Sequence, residues 1–304
     1  MKATQALALL LAALSVNVWI KPASSSTQTP KAVAKRVRHY VFFNRDRGRI
    51  SDPAFLATKA FEGAQIKYTW PELEPEQDAY DFSAIRQDLQ FLTAKGKRLF
   101  IQLQDVSFHD SIVNVPRYLQ RDSRYNGGVA RQYSNEEAGK RAVPEGWVAR
   151  RWDPAVQERW QKLLSALGKE FDGKLEGINL PETSLVFGGS EELLPKGFSF
   201  TGYRDAVITN MRALKRAFPK SVAMQYANFM PGEWLPGEDK SYLRSVYQQA
   251  RELKVAVGGP EGRQPRPALG AKTSRQDLTR TADWTERTPS GMEVRPRRRA
   301  ARSR

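Results

Sequence analysis

Residues 153–182 read DPAVQERWQKLLSALGKEFDGKLEGINLPE, and the two halves of this stretch follow different periods. In the first half Val156, Trp160, Leu163, Leu164, Leu167 and Phe171 fall on one face at helical spacing, behind an Asp153-Pro154 start signal. After only Asp172-Gly173-Lys174, residues 175–181 have the composition of a strand. A helix that passes into a strand through three residues is the repeating unit of a parallel α/β fold.

The unit recurs along the chain. Strand-type runs are read at 39–43, 64–70, 98–105, 175–181, 222–228 and 255–258, and each of the first five is followed by a segment of helical period. Asp52-Pro53 opens the first helix, with Phe55, Leu56 and Phe61 inside it and Gly63 after it; Ser83 opens the second and Gly96 ends it. Tyr203, Val207, Met211, Leu214 and Phe218 form the stripe of the fourth, and Tyr242, Val246, Ala250 and Leu253 that of the fifth. These stripes are core contacts and carry no chemistry.

Connection lengths separate the parallel architectures. Helix-to-strand links are short, whereas the strand-to-helix links at 106–152 and 183–200 are long. Long loops at the carboxyl ends of the strands, with the opposite face trimmed, are the pattern of a (β/α)8 enzyme. A doubly wound nucleotide-binding fold requires a glycine-rich turn after its first strand, and here that turn is Phe43-Asn44-Arg45-Asp46-Arg47. The expected fold is therefore a TIM-type (β/α) barrel over residues 38–261, with about six of the eight βα units present.

Composition narrows the chemistry. The 304 residues contain no cysteine, which excludes disulfides, thiolate metal sites and a thiol nucleophile, and imidazole comes only from His39 and His109. No zinc or calcium-loop pattern occurs, so no metal and no cofactor are expected. Catalysis, if present, falls to carboxylates. Half of the net charge of +16 sits in residues 262–304, where eleven Arg and one Lys face four acidic residues. Without a compact basic stripe elsewhere, nucleic acid is not an expected partner.

The chain begins with Met1-Lys2 and an apolar run extending to Ile20, which reads as an export signal within residues 1–23 or, uncleaved, as an anchor and the only membrane contact. A linker follows at 24–37, and a secreted or periplasmic location is the expectation. After Glu261 the periodic text stops: Leu269, Leu278 and Val294 are the only Ile, Leu, Val or Phe residues from 262 to 304, so this segment is expected to be a basic, disordered tail. It is either natural or the out-of-frame translation of a gene whose own ending encodes two further βα units; the second is preferred, because an open barrel leaves edge strands uncovered.

Residues 63–105 carry a family likeness. Gly63-Ala64-Gln65-Ile66-Lys67-Tyr68-Thr69-Trp70, then Leu73-Glu74-Pro75, Tyr80-Asp81-Phe82 and 97–105, resemble the barrel glycosidases of the large clan that includes the β-galactosidases and cellulases. In that clan the fourth strand ends in Asn-Glu, the Glu protonating the leaving oxygen. The resemblance places Glu182 in that role, with Pro181 where the clan has Asn and with Asn179 as the residue nearest to the missing amide. The same Glu182 stands out physically, since a carboxylate at a barrel mouth between apolar Leu180 and Leu185 has its proton affinity raised by desolvation.

Around it, Gln102 and Gln104 alternate with Leu99, Ile101 and Leu103, so one face of that strand is polar. Gln104 and Asp105 are candidates to hold sugar hydroxyls, Trp70 to stack on a sugar, and Asn179, Tyr226 and Asn228 to complete a carbohydrate site. Glycoside hydrolysis needs a second carboxylate, about 5 Å away for retention or roughly 6.5 to 9.5 Å for inversion. The clan carries it on the seventh strand. Asp105, Glu233 and Glu261 are the nearest substitutes here, and none follows the clan pattern. Two readings stay open: a hydrolase of O-glycosidic bonds, and a barrel that binds carbohydrate without turnover.

Overall fold

The computed structural model describes residues 37–134 and 141–259. The expected export segment, most of the linker, Glu261 and the basic tail lie outside the described residues.

Eight strands are present among the described residues: β1 (His39–Phe42), β2 (Phe61–Thr69), β3 (Arg98–Gln104), β4 (Val129–Tyr133), β5 (Pro144–Ala149), β6 (Gly177–Leu180), β7 (Val222–Tyr226) and β8 (Ala256–Gly258). Six of them form one parallel sheet in the order β1-β2-β3-β6-β7-β8, and these are the six runs read from the sequence. Between them stand α1 (Pro53–Ala57), α2 (Trp70–Leu73), α3 (Ser83–Ala94), α4 (Arg117–Arg121), α5 (Pro154–Phe171), α6 (Phe200–Ala217) and α7 (Tyr242–Leu253). The long helices start as the sequence indicates: the Asp153 carboxylate accepts from the backbone N–H groups of Ala155 and Val156, and Ser199 caps α6 through Gly202.

One face of each strand packs on the helices. Ala64, Ile66, Leu99, Ile101, Leu103, Ile178, Leu180 and Ala223 join Leu92, Leu163, Leu167, Met211 and Leu214 in one continuous core. The alternate residues, Gln65, Lys67, Gln102, Asn179, Met224 and Tyr226, share the other face by strand period. That face is concave. The Tyr226 hydroxyl on β7 donates to Gln65 Oε1 on β2 at 3.2 Å, although two strands lie between them. In a flat sheet three strand spacings amount to about 14 Å, so the sheet is curled into a parallel half-barrel.

The amino end of the hollow is closed by packing. Gly63 and Gly177 point inward, and a Cβ on Gly63 would lie 2.0 Å from the Arg98 carbonyl while one on Gly177 would lie 2.5 Å from the Phe100 ring. Their bareness admits Tyr40 and Phe100, whose rings meet at 6.1 Å, and below them Glu176 takes one hydrogen bond each from Arg38 and Arg98 at 2.6 Å. The open chemistry is left to the carboxyl end.

Three expectations are corrected. The first helix ends at Ala57, where the Thr58 hydroxyl and N–H both turn back onto the Ala54 carbonyl; Phe61 and Gly63 belong to β2, with Gly63 serving a close strand approach. The second strand stops at Thr69, and Trp70 opens the short α2, capped by Thr69 and Glu72. The stretch 106–152 is not a plain loop. It holds α4 and the antiparallel β4-β5 hairpin, tied to the end of β3 by the Ser107–Trp147 backbone bonds.

Candidate active site

Three residues beyond β6 are held more firmly than any strand end requires. The carbonyl of Pro181 accepts from Gln225 Nε2 at 2.7 Å, that of Glu182 from Arg151 at 2.8 Å, and that of Thr183 from the Tyr203 hydroxyl at 3.1 Å. Thr183 adds its N–H to the Tyr226 carbonyl and its hydroxyl to that of Phe229. Four separate elements therefore converge on one tripeptide, and Glu182 is its middle residue.

Arg151 is the centre of this clamp. It arrives at the end of the hairpin insertion and donates to both oxygens of Asp105, at 2.8 and 2.5 Å, as well as to the Tyr203 hydroxyl. All three side chains are buried. Burial disfavours the Arg151 charge, but Asp105 and the Tyr203 oxygen outweigh it and raise the guanidinium's proton affinity. Burial pushes the Tyr203 phenol up to about 12, keeping it a donor.

The Glu182 side chain is partly buried, and desolvation raises its pKa; the fields of Lys67 and Arg151 and a hydrogen bond from Asn228 work in the opposite direction without cancelling it. Lys67 responds in the complementary sense. Burial lowers its pKa, with Glu182 opposing and Arg45 reinforcing the shift. Cation and carboxyl therefore share one hollow.

The floor of that hollow is a row of polar side chains in strict register, Lys67 on β2, Gln102 on β3 and Asn179 on β6. Asn179 is 0% exposed, and neither its Oδ1 nor its Nδ2 has a hydrogen-bond partner; Gln102 Oε1 and Gln104 Oε1 are likewise unpartnered. Each such group costs about 1–3 kcal/mol when left dry. Such amides are able to donate to or accept from hydroxyl groups.

The residues named from sequence divide into two sets. Glu182, Asn179, Tyr226, Asn228 and Gln104 gather at the carboxyl ends of β3, β6 and β7, Gln104 with its Nε2 turned to the Val106 carbonyl. Asp105 and Trp70 are taken up elsewhere. Both Asp105 oxygens serve Arg151 and the residue is 2% exposed, so it offers nothing to a sugar hydroxyl. Trp70 is equally buried, with its Nε1 donating to Glu74 at 2.8 Å and its ring set edge-on to Trp160 at 4.8 Å, a core position. Glu233 accepts backbone N–H groups from Lys240, Tyr242 and Leu243 and so caps α7. The sequence reading passed over Lys67 and Gln65. Their alternation with Ile66 and Tyr68 carried the same signal that singled out Gln102 and Gln104. Among the described residues no cluster of three or more His, Asp or Glu side chains has the arrangement to hold a metal.

Fold and site together define an α/β protein with a curled parallel sheet and, beyond the carboxyl end of β6, a partly buried carboxyl whose proton affinity is raised by desolvation. No family model matches the chain, and no curated protein matches it. Solved structures similar to it are glycosidases at low identity. They include an exo-β-1,4-mannosidase from Opitutaceae bacterium strain TAV5 (16% identity, 62% of this chain and 31% of that one, TM-score 0.39). An endo-glycoceramidase II from Rhodococcus sp. (12%, 75% and 77%, 0.41) and a β-galactosidase from Halorubrum lacusprofundi (11%, 69% and 39%, 0.43) are further examples. The chain spans less than half the length of the first of these and of two Streptomyces cattleya structures of the GH5_18 type, at 38% and 45%.

Proposed function

We propose that this chain is a glycoside hydrolase-like protein on a (β/α) barrel of the TIM type, with Glu182 as the general acid/base for an O-glycosidic bond of an oligo- or polysaccharide. The observation that carries the reading is the placement of Glu182: a partly buried carboxyl with raised proton affinity, fixed through its backbone by Arg151, above a floor of unpartnered amides. A carboxyl whose proton affinity is raised is suited to deliver a proton to a leaving oxygen, and amides without partners can take the sugar hydroxyls. Asn179, Gln104, Tyr226 and Asn228 are assigned to substrate in this reading. In this reading the activity lies outside the cytoplasm, an expectation supported by the apolar run at residues 1–20.

A panel of aryl glycosides, assayed with wild type and Glu182→Gln, tests it. Removal of a positioned acid is expected to lower kcat by about 10²- to 10⁴-fold. Equal rates would take Glu182 out of the mechanism. The second reading, binding without turnover, is favoured by one observation: Asp105 and Glu233 both have their oxygens committed to internal partners, so neither is offered as nucleophile or base. Calorimetric binding of an oligosaccharide with no release of product would select it.

A further inference from the structure

Lys67 is the one feature of the hollow that neutral sugar chemistry leaves without a task. It points inward on β2 at the end of the row formed with Gln102 and Asn179, and its Nζ lies 5.4 Å from the centre of the Phe42 ring. Among the described residues no carboxylate oxygen comes within 4.0 Å of it. Glu182 is the opposite charge that it senses, from beyond ion-pair distance. A partly buried ammonium held by a ring face and a distant carboxyl is under-compensated, since a desolvated charge is ordinarily paired and hydrogen-bonded.

The imbalance grows in the working form. A general acid must carry its proton before it can donate, and a protonated Glu182 leaves Lys67 with no negative charge opposite it among the described residues. We infer that the hollow takes a sugar bearing an anionic group, a carboxylate or a sulfate, which pairs with Lys67 while its hydroxyls meet Asn179 and Gln102. The inference rests on the glycosidase-like reading of Glu182 and narrows it to acidic saccharides. A single ammonium is a point charge without the guanidinium fork, so it accepts either anion, and the ligand decides between them.

The experiment compares 4-nitrophenyl glucuronide and galacturonide, 4-nitrophenyl 6-sulfo-glucoside, and the unsubstituted glucoside and galactoside, using the full chain, Lys67→Gln and Lys67→Arg. The expected result is a kcat/KM ratio of acidic to neutral substrate above one in wild type, falling at least about tenfold in Lys67→Gln and largely kept in Lys67→Arg. A preference for uronides identifies the carboxylate, one for the sulfated glucoside the sulfate. Neutral glycosides cleaved as well as or better than acidic ones would overturn the inference and leave the hydrolase reading standing.

If nothing is cleaved, calorimetry with glucuronate, glucose 6-sulfate and glucose separates the two ideas. Acid-selective binding that Lys67→Gln weakens at least about tenfold supports the inference while the hydrolase reading fails, and the absence of any acid-selective binding overturns it. Should Lys67→Gln not fold, the lysine Cε resonance of wild type is the readout: glucuronate or the sulfate should move one lysine signal that glucose does not, and no such signal refutes the proposal.

Discussion

Two buried polar groupings flank Glu182, and they are opposite in kind. On the helix side Arg151, Asp105, Tyr203 and Thr183 form a closed network in which the guanidinium reaches two carboxylate oxygens, a carbonyl and a phenol. On the hollow side Asn179 and Gln102 are as deeply buried, yet their amide oxygens meet nothing. Burial is equal and satisfaction is not. A closed network fixes the shape of the site; an open one keeps a cost in the free protein that a ligand can remove.

The largest expected effect breaks the closed side. Arg151→Met leaves Asp105 as an uncompensated buried charge, so a loss of about 3–5 kcal/mol is expected in denaturant unfolding. The double variant Arg151→Met with Asp105→Leu should recover much of it, because the stranded charge is gone. A double variant no more stable than the single one would show that the pair acts through something other than mutual compensation.

The open side should respond with the opposite sign. Asn179→Leu replaces two unpartnered polar atoms by a side chain of similar size, so the free protein is expected to gain about 1–3 kcal/mol in the same unfolding measurement. Saccharide affinity should fall in the same variant. Loss of stability instead would mean that Asn179 has partners in solution and that the floor is part of the scaffold.

The contrast also marks what could be read from residues alone. All six parallel strands were legible because Leu99-Ile101-Leu103 and Ile178-Leu180 alternate cleanly, and the long helices because Asp153-Pro154 and the Trp160-Leu167 stripe follow physical rules local in sequence. The β4-β5 hairpin was not legible: Val129-Ala130-Arg131-Gln132-Tyr133 and its partner have little apolar alternation, and their pairing is a tertiary fact. The closed network was hidden for the same reason. Asp105 has the right residue type and place for a sugar ligand, but its partner Arg151 stands 46 residues away. Glu182 and Asn179 were named from the family likeness at the end of that strand, and strand period adds only that Asn179 shares the concave face with Lys67 and Gln102.

The smallest effect sharpens the comparison at Glu182 itself, which touches both sides. Its folded pKa lies above the unfolded carboxyl value of about 4.3, so between the two values the folded state binds more protons than the unfolded chain. The sign follows: stability associated with this group is fully present below the unfolded pKa and declines as pH rises through the folded one, until the ionised carboxylate carries its desolvation penalty. Glu182→Gln has no proton to lose. Urea unfolding at several pH values should therefore show the variant close to wild type at acid pH and increasingly more stable than wild type toward pH 8. A difference that stays flat with pH would mean that Lys67 and Arg151 compensate the carboxylate fully, and Glu182 would then be an ordinary ionised group, poorly suited to hold a proton for a leaving oxygen.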